Sequence, residues 1–464
     1  VVTRSEYKSD KGNWISWVDL ELTNKSPFST PAEYATTIDL PAGCWISDYY
    51  LYVGERKEMG ILAEKKSAMW IYSQIRNENR DPGILYYLTE NKLAFRVFPF
   101  ARNEIRRTGI QFLHREPLKF SIDGNEVSLG DSTVKNSDVY ANTFADYVPV
   151  AKKQQLKKVR RKPYFHFIVN TALEYEVYKE EYVQSIKQIV AQYPALAEGA
   201  KISFVNSYVH TFDYKDNFLQ EYNKQVFEGG FYLERAVEAV FQNSAKLNTQ
   251  SFPVMVVLTV SISDAVIDNN FAEYQWAYPD NKYFFHVAEN QTLRAHSLVS
   301  TSALPTSDSS ASILGNTVLE YEYANEKTVY LPNDGRASIV VKHGNSEVAE
   351  SDINQKVWDS GLSLYALWRS QLIQPDRTDE TWLKMVKYSF MSKIMLPVTS
   401  YLVVENEAQK VALKRNQEQI LSGNKSLDQG EDTRRMSEPG LLLLLILLLF
   451  FIGLRKKRQL FKLN

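Results

Sequence analysis

The sequence is poor in cysteine and lacks an excess of charge of either sign. Only one cysteine, Cys44, occurs in 464 residues, which excludes an intrachain disulfide and a metal cluster built from several thiolates. The 54 basic and 55 acidic side chains nearly cancel, so we expect no general attraction to nucleic acid. A hydrophobic fraction of 44% is ample for sizeable cores, and the length predicts more than one domain.

The usual motifs of catalysis are also missing. The sequence contains no G-x-S-x-G nucleophile motif, no P-loop and no dinucleotide-binding fingerprint. No two of its six histidines lie three or four residues apart, so a helical metal-binding motif is absent from the sequence. Cys44 follows a turn glycine and begins an apolar strand, which favours a buried structural thiol over a reactive one. We expect a protein that is not an enzyme and needs no cofactor; an enzyme with an unrecognised site is the alternative.

Half-buried strands are predicted over much of residues 14–120. Apolar and polar residues alternate from Trp14 to Leu22, as in a strand with one buried face. The other predicted strands cover 34–40, 46–53, 59–63, 93–100 and 105–113. The pattern changes to helical spacing over 65–75, where one face carries Ala68, Ile71, Tyr72 and Ile75.

The order of these elements resembles the VIT domain, the module that precedes the A domain in inter-alpha-trypsin inhibitor heavy chains. The resemblance covers residues 39–112, including a proline-glycine turn, the helix, a DPG turn and an aromatic strand. The residues that carry it best are Tyr72, Asp81, Pro82, Gly83, Phe95 and Val97. It implies a β-rich VIT domain at 1–130 that acts as a scaffold or interaction module. Read alone, each of these residues is a core residue or a turn former.

Residues 131–163 are predicted as a linker, and its end, 151–162, is strongly basic. Such a segment either contacts anionic lipid or polysaccharide or is simply solvated, and charge runs are more often the latter. From 164 onward, apolar strands alternate with helices: strands at 164–169, 201–208, 253–262 and 283–287, and helices at 180–193 and 233–241. This alternation predicts a parallel sheet covered by helices on both faces.

In order and spacing, residues 164–310 resemble the von Willebrand A domain, an α/β Rossmann-type fold. That family holds a divalent cation through a D-x-S-x-S motif, a later threonine and an aspartate after the central strand. The corresponding positions here are Asn170, Ala172, Glu174, Phe231 and Val260. Asn170, Glu174 and, in a shifted alignment, Asp264 still offer oxygen atoms. We expect a degenerate A-like domain without a metal, with a weak cation site at Glu174 and Asp264 as the alternative.

Residues 311–421 are predicted as return strands and helices. The segment 387–409 resembles the one that ends proteins with VIT and A domains, and it matches at Pro397, Thr399, Ser400 and Glu405. The resemblance implies a strand and a helix that pack back on the body. Residues 422–435, rich in glycine, asparagine and charge, predict a flexible stalk.

The end of the chain carries an apolar run between a short signature and a basic cluster. Residues 440–454 have no polar side chain, and as a helix they span about 22 Å at ~1.5 Å per residue, against a hydrocarbon core of about 30 Å. The basic cluster that fixes orientation is Arg455, Lys456, Lys457 and Arg458. It should stay in the cytoplasm, which leaves the body on the periplasmic or extracellular side. Composition alone predicts a single C-terminal membrane anchor.

The three-part tail at 436–464 also resembles the C-terminal sorting signals that bacterial exosortases recognise, of the MSEP-CTERM type. The signature quartet is Met436, Ser437, Glu438 and Pro439. The resemblance implies a temporary anchor that a membrane-embedded, cysteine protease-like transpeptidase recognises and cuts. Export requires a signal, and the chain begins Val1-Val2-Thr3 without an apolar leader. We therefore expect this chain to be the C-terminal part of a longer precursor.

Together these patterns predict a multidomain α+β protein: a VIT domain, an A-like domain and a C-terminal transmembrane helix. We expect a non-enzymatic envelope protein whose partners are an exosortase-type enzyme, the membrane, and an envelope protein or polysaccharide. The alternative is a permanently anchored adhesin or sensor that is never processed. The abundance of tyrosine and phenylalanine fits β-rich packing or carbohydrate contact, and the sequence does not separate the two.

Overall fold

The computed structural model describes residues 1–25, 32–77, 82–89, 91–134, 138–215, 217–247, 250–267, 271–288, 291–299, 312–323, 327–342, 348–374 and 378–422. Over these residues the fold is mixed α/β, with many strands and fewer helices. No helix in these ranges combines the length and apolar character needed to cross a membrane. The predicted sorting signal at 436–464 and the predicted stalk, apart from Ser422, lie outside the described residues.

The first third of the chain consists mainly of strands, as its alternating pattern predicts. Its elements are β1 (Val2–Lys8), β2 (Asn13–Thr23), β3 (Ala32–Asp39), β4 (Trp45–Val53), β5 (Arg56–Met59), β6 (Ile61–Glu64), α1 (Lys65–Asn77), β7 (Gly83–Thr89), β8 (Lys92–Phe100), β9 (Ile105–His114), β10 (Leu118–Ile122), β11 (Asn125–Leu129), β12 (Tyr140–Ala141) and β13 (Ala145–Val148). In β2, Val18 and Leu20 are buried whereas Glu21 is exposed, which confirms the predicted half-buried strand.

The middle of the chain alternates between strands and helices. Its elements are α2 (Val150–Lys153), β14 (Lys157–Val159), β15 (Lys162–Asn170), α3 (Lys179–Gln192), β16 (Lys201–Val205), β17 (Val209–Asp213), α4 (Phe218–Lys224), α5 (Leu233–Leu247), β18 (Ser251–Leu258), β19 (Tyr283–Val287) and β20 (Leu293–Ser297). The predicted strand at 201–208 ends at Val205, because the chain turns back there and β17 pairs with β16 as a hairpin.

The last part contains strands that join sheets begun much earlier in the chain. Its elements are β21 (Val318–Tyr323), β22 (Lys327–Pro332), β23 (Ser338–Val341), α6 (Trp358–Leu372), α7 (Asp379–Ser392), β24 (Thr399–Val403) and α8 (Glu407–Leu421). β24 pairs with β6 on one side and with β7 on the other. The expectation that this segment packs back on the body is therefore confirmed.

Two five-stranded antiparallel sheets share one hydrophobic core. Their strand orders are β1-β2-β9-β4-β5 and β3-β8-β7-β24-β6. The core joins residues from both ends of the chain, from Val18 in β2 to Tyr401 in β24, and α6 and α7 contribute Leu362 and Met385. Residues 1–130 thus do not close a core of their own, because the segment after 338 completes it.

A six-stranded sheet forms the second body, in the order β17-β16-β15-β18-β19-β20. The four central strands are parallel, as predicted, whereas β17 and β20 are antiparallel edge strands. Every residue of β15 from Phe165 to Asn170 is buried, so both faces of this strand are covered. Ile186 of α3 and Val237 of α5 belong to the same core.

In the segment 131–163, predicted as a linker, the described residues 138–163 are part of the folded body. β13 pairs with β23, and β14 pairs with β21. The buried Lys153 pairs with Asp334 at 2.9 Å, and the Arg161 Nε donates to Asp280 Oδ1 at 2.9 Å in a buried pair. Two cations of the basic run are therefore inside the protein, because distant strands bring acidic partners that the local sequence does not reveal.

The described residues that carry the VIT resemblance have structural roles. Phe95 and Val97 are fully buried in the shared core, and the buried Tyr72 donates its hydroxyl to Glu33 Oε1 at 2.6 Å. Pro82 precedes β7, which begins at Gly83, and Asp81 lies outside the described residues. Cys44 is buried, and this burial raises the pKa of its thiol, so the predicted structural thiol is confirmed.

Candidate functional site

The candidate site lies at the carboxyl edge of the six-stranded sheet. After β15 the chain continues to β16 on one side, and β18 lies on the other, so the strand order reverses between β15 and β18. Open α/β sheets usually bind ligands in the crevice at such a reversal. The residues that follow these strands, 171–178 and 259–266, therefore form the candidate site.

Backbone hydrogen bonds join these two loops to a third, 225–232, which leads into α5. The Glu228 amide donates to the Thr171 carbonyl at 3.2 Å, and the Val266 amide donates to the Phe231 carbonyl at 2.8 Å. Phe231 also forms an isolated parallel bridge with Ala265. The structure thus brings together the three segments that the sequence analysis assigned to one site.

Asn170 holds the two central strands together at this edge. It is fully buried, and its Nδ2 donates to Thr259 Oγ1 at 3.0 Å, while its Oδ1 accepts from the Ala172 amide at 2.9 Å. The nitrogen and the oxygen of the Asn170 side chain both form hydrogen bonds within the protein. Asn170 therefore acts as a clamp between the end of β15 and the residue after β18.

The remaining predicted positions do not converge on one point. Phe231 is 1% exposed and belongs to the core, and Val260 is exposed but offers only methyl groups. Glu174 and Asp264 are exposed, and the Tyr175 hydroxyl donates to the Asp264 carboxylate. Burial, together with this bond to Asp264, raises the pKa of Tyr175 to about 12.

This set of side chains does not fit a divalent cation. A hard cation requires several oxygen ligands in a fixed arrangement, but three of the positions that the resemblance implies carry hydrocarbon side chains: Ala172, which is buried, Phe231 and Val260. Within the described part of the chain, no three His, Cys, Asp or Glu side chains group closely enough to hold a metal ion.

Exposed apolar side chains are concentrated on this edge. The group consists of Leu173, Val177, Tyr208, Val226 and Val260, whose exposed fractions range from 42% to 81%. The loops that carry them are in contact, since the Asn206 Nδ2 donates to the Val226 carbonyl at 2.9 Å and the Tyr208 amide donates to Asn206 Oδ1 at 2.8 Å. We call these five residues the apolar edge.

Acidic residues accompany the apolar edge. The exposed acids on the same loops are Glu174, Glu176, Glu228 and Asp264. The neighbouring cations lie over aromatic rings: Lys179 Nζ is 5.0 Å from the Tyr222 ring centre, and the Arg235 guanidinium is 4.4 Å from that of Tyr232. The edge therefore offers an apolar contact surface surrounded by negative charge. Such a surface favours a partner whose own contact surface is apolar and neutral or basic.

The sequence analysis grouped Asn170 with the loops at 231 and 264, which lie at this edge, but it did not single out the apolar residues found there. Leu173 and Val177 fall in a short 3-10 helical segment, Leu173–Tyr178, in which no residue is buried. The available signal was a group of apolar residues directly after a buried strand and outside any regular periodicity. The sorting-signal residues at 436–439 and the basic cluster at 455–458 lie outside the described residues.

No protein-family model matches this chain, and no curated protein matches it significantly. The resemblances to the VIT domain, the von Willebrand A domain and the MSEP-type sorting signal therefore stay predictions, based on the residues quoted above.

Proposed function

We propose that this protein is a non-enzymatic envelope protein, whose body binds a partner and whose tail is processed by an exosortase-type sorting enzyme. The observation that carries the binding role is the apolar edge, where solvent-exposed aliphatic and aromatic side chains lie on four loops joined by hydrogen bonds. Exposed apolar patches mark protein or membrane interaction sites and ligand-binding grooves.

The A-like and VIT-like assignments belong to this proposal. The strand order of the six-stranded sheet and its parallel centre agree with an A-like domain, in which ligands approach the same edge. The antiparallel strands around α1 agree with a VIT-like module. Asn170 as a clamp and Phe231 as a core residue support a binding domain that works without a metal ion.

The binding role is tested by charge substitution at the apolar edge. The full chain with Leu173→Asp and Val177→Asp should sediment less with envelope fragments of the host than the unaltered chain, because partner contact would bury the new carboxylates. Val411→Asp on α8 is the matched control, since Val411 is 63% exposed and lies on another element. Equal sedimentation of all three chains would rule out the apolar edge as the contact.

The absence of a metal requirement has its own test. Titration calorimetry with Mg²⁺, Mn²⁺ and Ca²⁺ should give no heat of specific binding. Submicromolar binding that Glu174→Ala removes would instead establish a cation site and would overturn the metal-independent proposal.

Processing of the tail is the second half of the proposal and rests on the sequence of 436–464. Intact mass spectrometry of the protein from its native host, with and without the exosortase gene, tests it. A C-terminus near Met436 to Pro439 that requires the gene supports processing, and Glu438→Ala should abolish it while leaving membrane insertion intact. A chain that ends at Asn464 in both strains would favour the permanently anchored adhesin or sensor.

A further inference from the structure

The segments around the apolar edge carry charge of one sign. In the sequence, the segments that follow β15, β16, β18 and β19 and the one that precedes α5 contain no lysine or arginine: 171–178, 206–208, 259–270, 288–292 and 225–232. Their six acidic residues are Glu174, Glu176, Glu228, Asp264, Asp268 and Glu289. The first four of these are exposed, whereas Asp268 and Glu289 lie outside the described residues.

Hydrogen bonds hold these acidic segments beside the apolar side chains. The Leu173 amide donates to the Gly229 carbonyl at 3.4 Å, which brings Leu173 next to the loop that carries Glu228. The Tyr175 hydroxyl donates to the Asp264 carboxylate, so a third loop is joined to the same segment. The apolar side chains and the carboxylates of the edge therefore lie side by side.

Two cations adjoin these segments, and both contact groups of the chain itself. Lys179 directly follows 171–178, and its Nζ is 5.0 Å from the centre of the Tyr222 ring. Arg235 follows the loop before α5, and its Nη1 donates to the Ser207 carbonyl at 3.0 Å. Four exposed carboxylates against these two cations leave an excess of negative charge at the surface.

An apolar surface with this charge selects its occupant. It repels an anionic lipid surface, and it also repels a second copy that docks through the same surface, because a twofold contact places identical acids opposite each other. A basic partner gains from both features, since its apolar side chains are buried against the apolar edge and its cations meet carboxylates. An apolar centre with a polar rim is also the usual composition of a protein interface.

We propose that the apolar edge docks a basic, apolar segment of a partner protein. The lysine or arginine side chains of this segment pair with the four exposed carboxylates, and its apolar side chains cover Leu173 and Val177. This inference rests on the binding role proposed above and names the class of partner.

Binding of short labelled peptides to the full chain, reconstituted in phosphatidylcholine nanodiscs, provides the test. The probe alternates lysine with leucine, and the comparison peptides replace each lysine by glutamate or by glutamine, or each leucine by serine. Fluorescence anisotropy, with empty nanodiscs as the blank, should show saturable binding of the lysine–leucine peptide, about tenfold tighter than that of any comparison peptide. Raising the salt from about 0.1 M to about 1 M should weaken this binding, because the screening length falls from about 10 Å to about 3 Å.

Substitutions in the chain decide whether the peptide binds at this surface. Glu174→Lys and Glu228→Lys should each weaken binding about tenfold, since a like charge replaces an opposite one. Leu173→Ser should also weaken it, because less apolar surface is buried in the contact. Glu418→Lys is the matched control: Glu418 is exposed and lies on α8, so its reversal should leave binding unchanged. The thermal unfolding midpoint of each variant verifies its folding.

The proposal is overturned if the lysine–leucine peptide does not bind, if any comparison peptide binds as tightly, or if Glu174→Lys and Glu418→Lys have equal effects. Its failure is separable from failure of the binding role itself. Reduced sedimentation of the chain with Leu173→Asp and Val177→Asp, without binding of the basic peptide, would keep the apolar edge as a contact and exclude only a basic partner.

Discussion

Several single residues carry polar or charged groups into the interior, and each is held there by a specific partner. Arg161 and Asp280 form a buried ion pair, with 4% and 0% of their side chains exposed. Arg161 also donates to the Ser251 carbonyl at 3.2 Å, so the pair connects the start of β15 to the start of β18 and to the segment before β19. Such a pair stabilises the fold only while both members are charged and present.

Asp280→Asn should destabilise the protein by about 3–5 kcal/mol, because the guanidinium would remain buried without its counter-charge. Urea unfolding monitored by tryptophan fluorescence measures the loss. Glu198→Gln is the control: Glu198 pairs with Lys162, the residue next to Arg161, but both side chains are exposed, so its effect should stay below about 1 kcal/mol. Equal losses of unfolding free energy in the two variants would show that the buried ion pair stabilises the protein no more than the exposed one does.

A buried histidine predicts how stability depends on pH. Burial, assisted by the charge of Lys201, lowers the pKa of His166 from its ordinary value of 6.5 to about 3, and its Nε2 lies 2.8 Å from Ser203 Oγ. Between these pH values the unfolded chain takes up a proton that the folded chain does not. The contribution of His166 to the free energy of unfolding is therefore complete above pH 6.5. Below that pH, the free energy of unfolding falls by about 1.4 kcal/mol per pH unit.

His166→Gln should reduce the slope of unfolding free energy against pH by that amount between pH 6.5 and 5, measured by urea titration at several pH values. His114 adds to the slope of the unaltered chain, since burial lowers its pKa to about 4. A His166→Gln chain with the full slope would contradict the assignment.

At the scale of elements, sequence-local signals decide where helices and strands begin. Glu64 is the last residue of β6, and its carboxylate caps α1: Oε1 accepts from the Lys66 amide and Oε2 from the Ser67 amide, both at 2.7 Å. A helix leaves its first amides without internal partners. Here a side chain from the preceding strand satisfies two of them, which couples the strand end to the helix start.

Glu64→Ala should cost about 1–2 kcal/mol, the upper range for loss of an N-terminal cap, because Glu64 is 4% exposed and its removal deprives two first-turn amides of their acceptor. Chemical unfolding gives the free energy. Ser73→Ala is the comparison on the same helix, since Ser73 is exposed and bonds only to the Trp70 carbonyl; it should change stability by less than about 0.5 kcal/mol. A Glu64→Ala chain as stable as this comparison would contradict the capping role.

At the scale of the whole molecule, the two ends of the described chain form one body around the inserted six-stranded sheet. Trp358 Nε1 donates to the Gly43 carbonyl at 2.6 Å, and Trp45 Nε1 donates to the Trp358 carbonyl at 3.2 Å. β24 lies inside the sheet begun by β3, β6, β7 and β8. We therefore expect the first body to require the residues near 400 in order to fold.

A chain that ends at Ser392 should fail to show a cooperative unfolding transition for the first body, since it lacks β24 and leaves β6 and β7 without their shared neighbour. A chain that ends at Ser422 should unfold with the same midpoint as the full chain. Differential scanning calorimetry compares the two. A cooperative, unshifted transition in the shorter chain would mean that β24 is dispensable.

The sequence by itself determined most elements of this protein and the edge at which the candidate site lies. Alternation in β2, helical spacing in α1 and the apolar run of β15 are local patterns, so they could be predicted without knowledge of the fold. The resemblance to the A domain grouped Asn170 with the loops at 231 and 264, and the backbone hydrogen bonds between these loops agree with that grouping.

Only the tertiary structure decided which distant segments meet. The pairing of β24 with β6 and β7, the burial of Arg161 against Asp280, and the contact between the loops of Leu173 and Gly229 join residues far apart in the chain. Local periodicity predicts that a residue lies on an apolar face, but which residues it contacts depends on how all the elements pack together. For the same reason, only the packed structure revealed that Asn170 is a clamp and that Phe231 is a core residue.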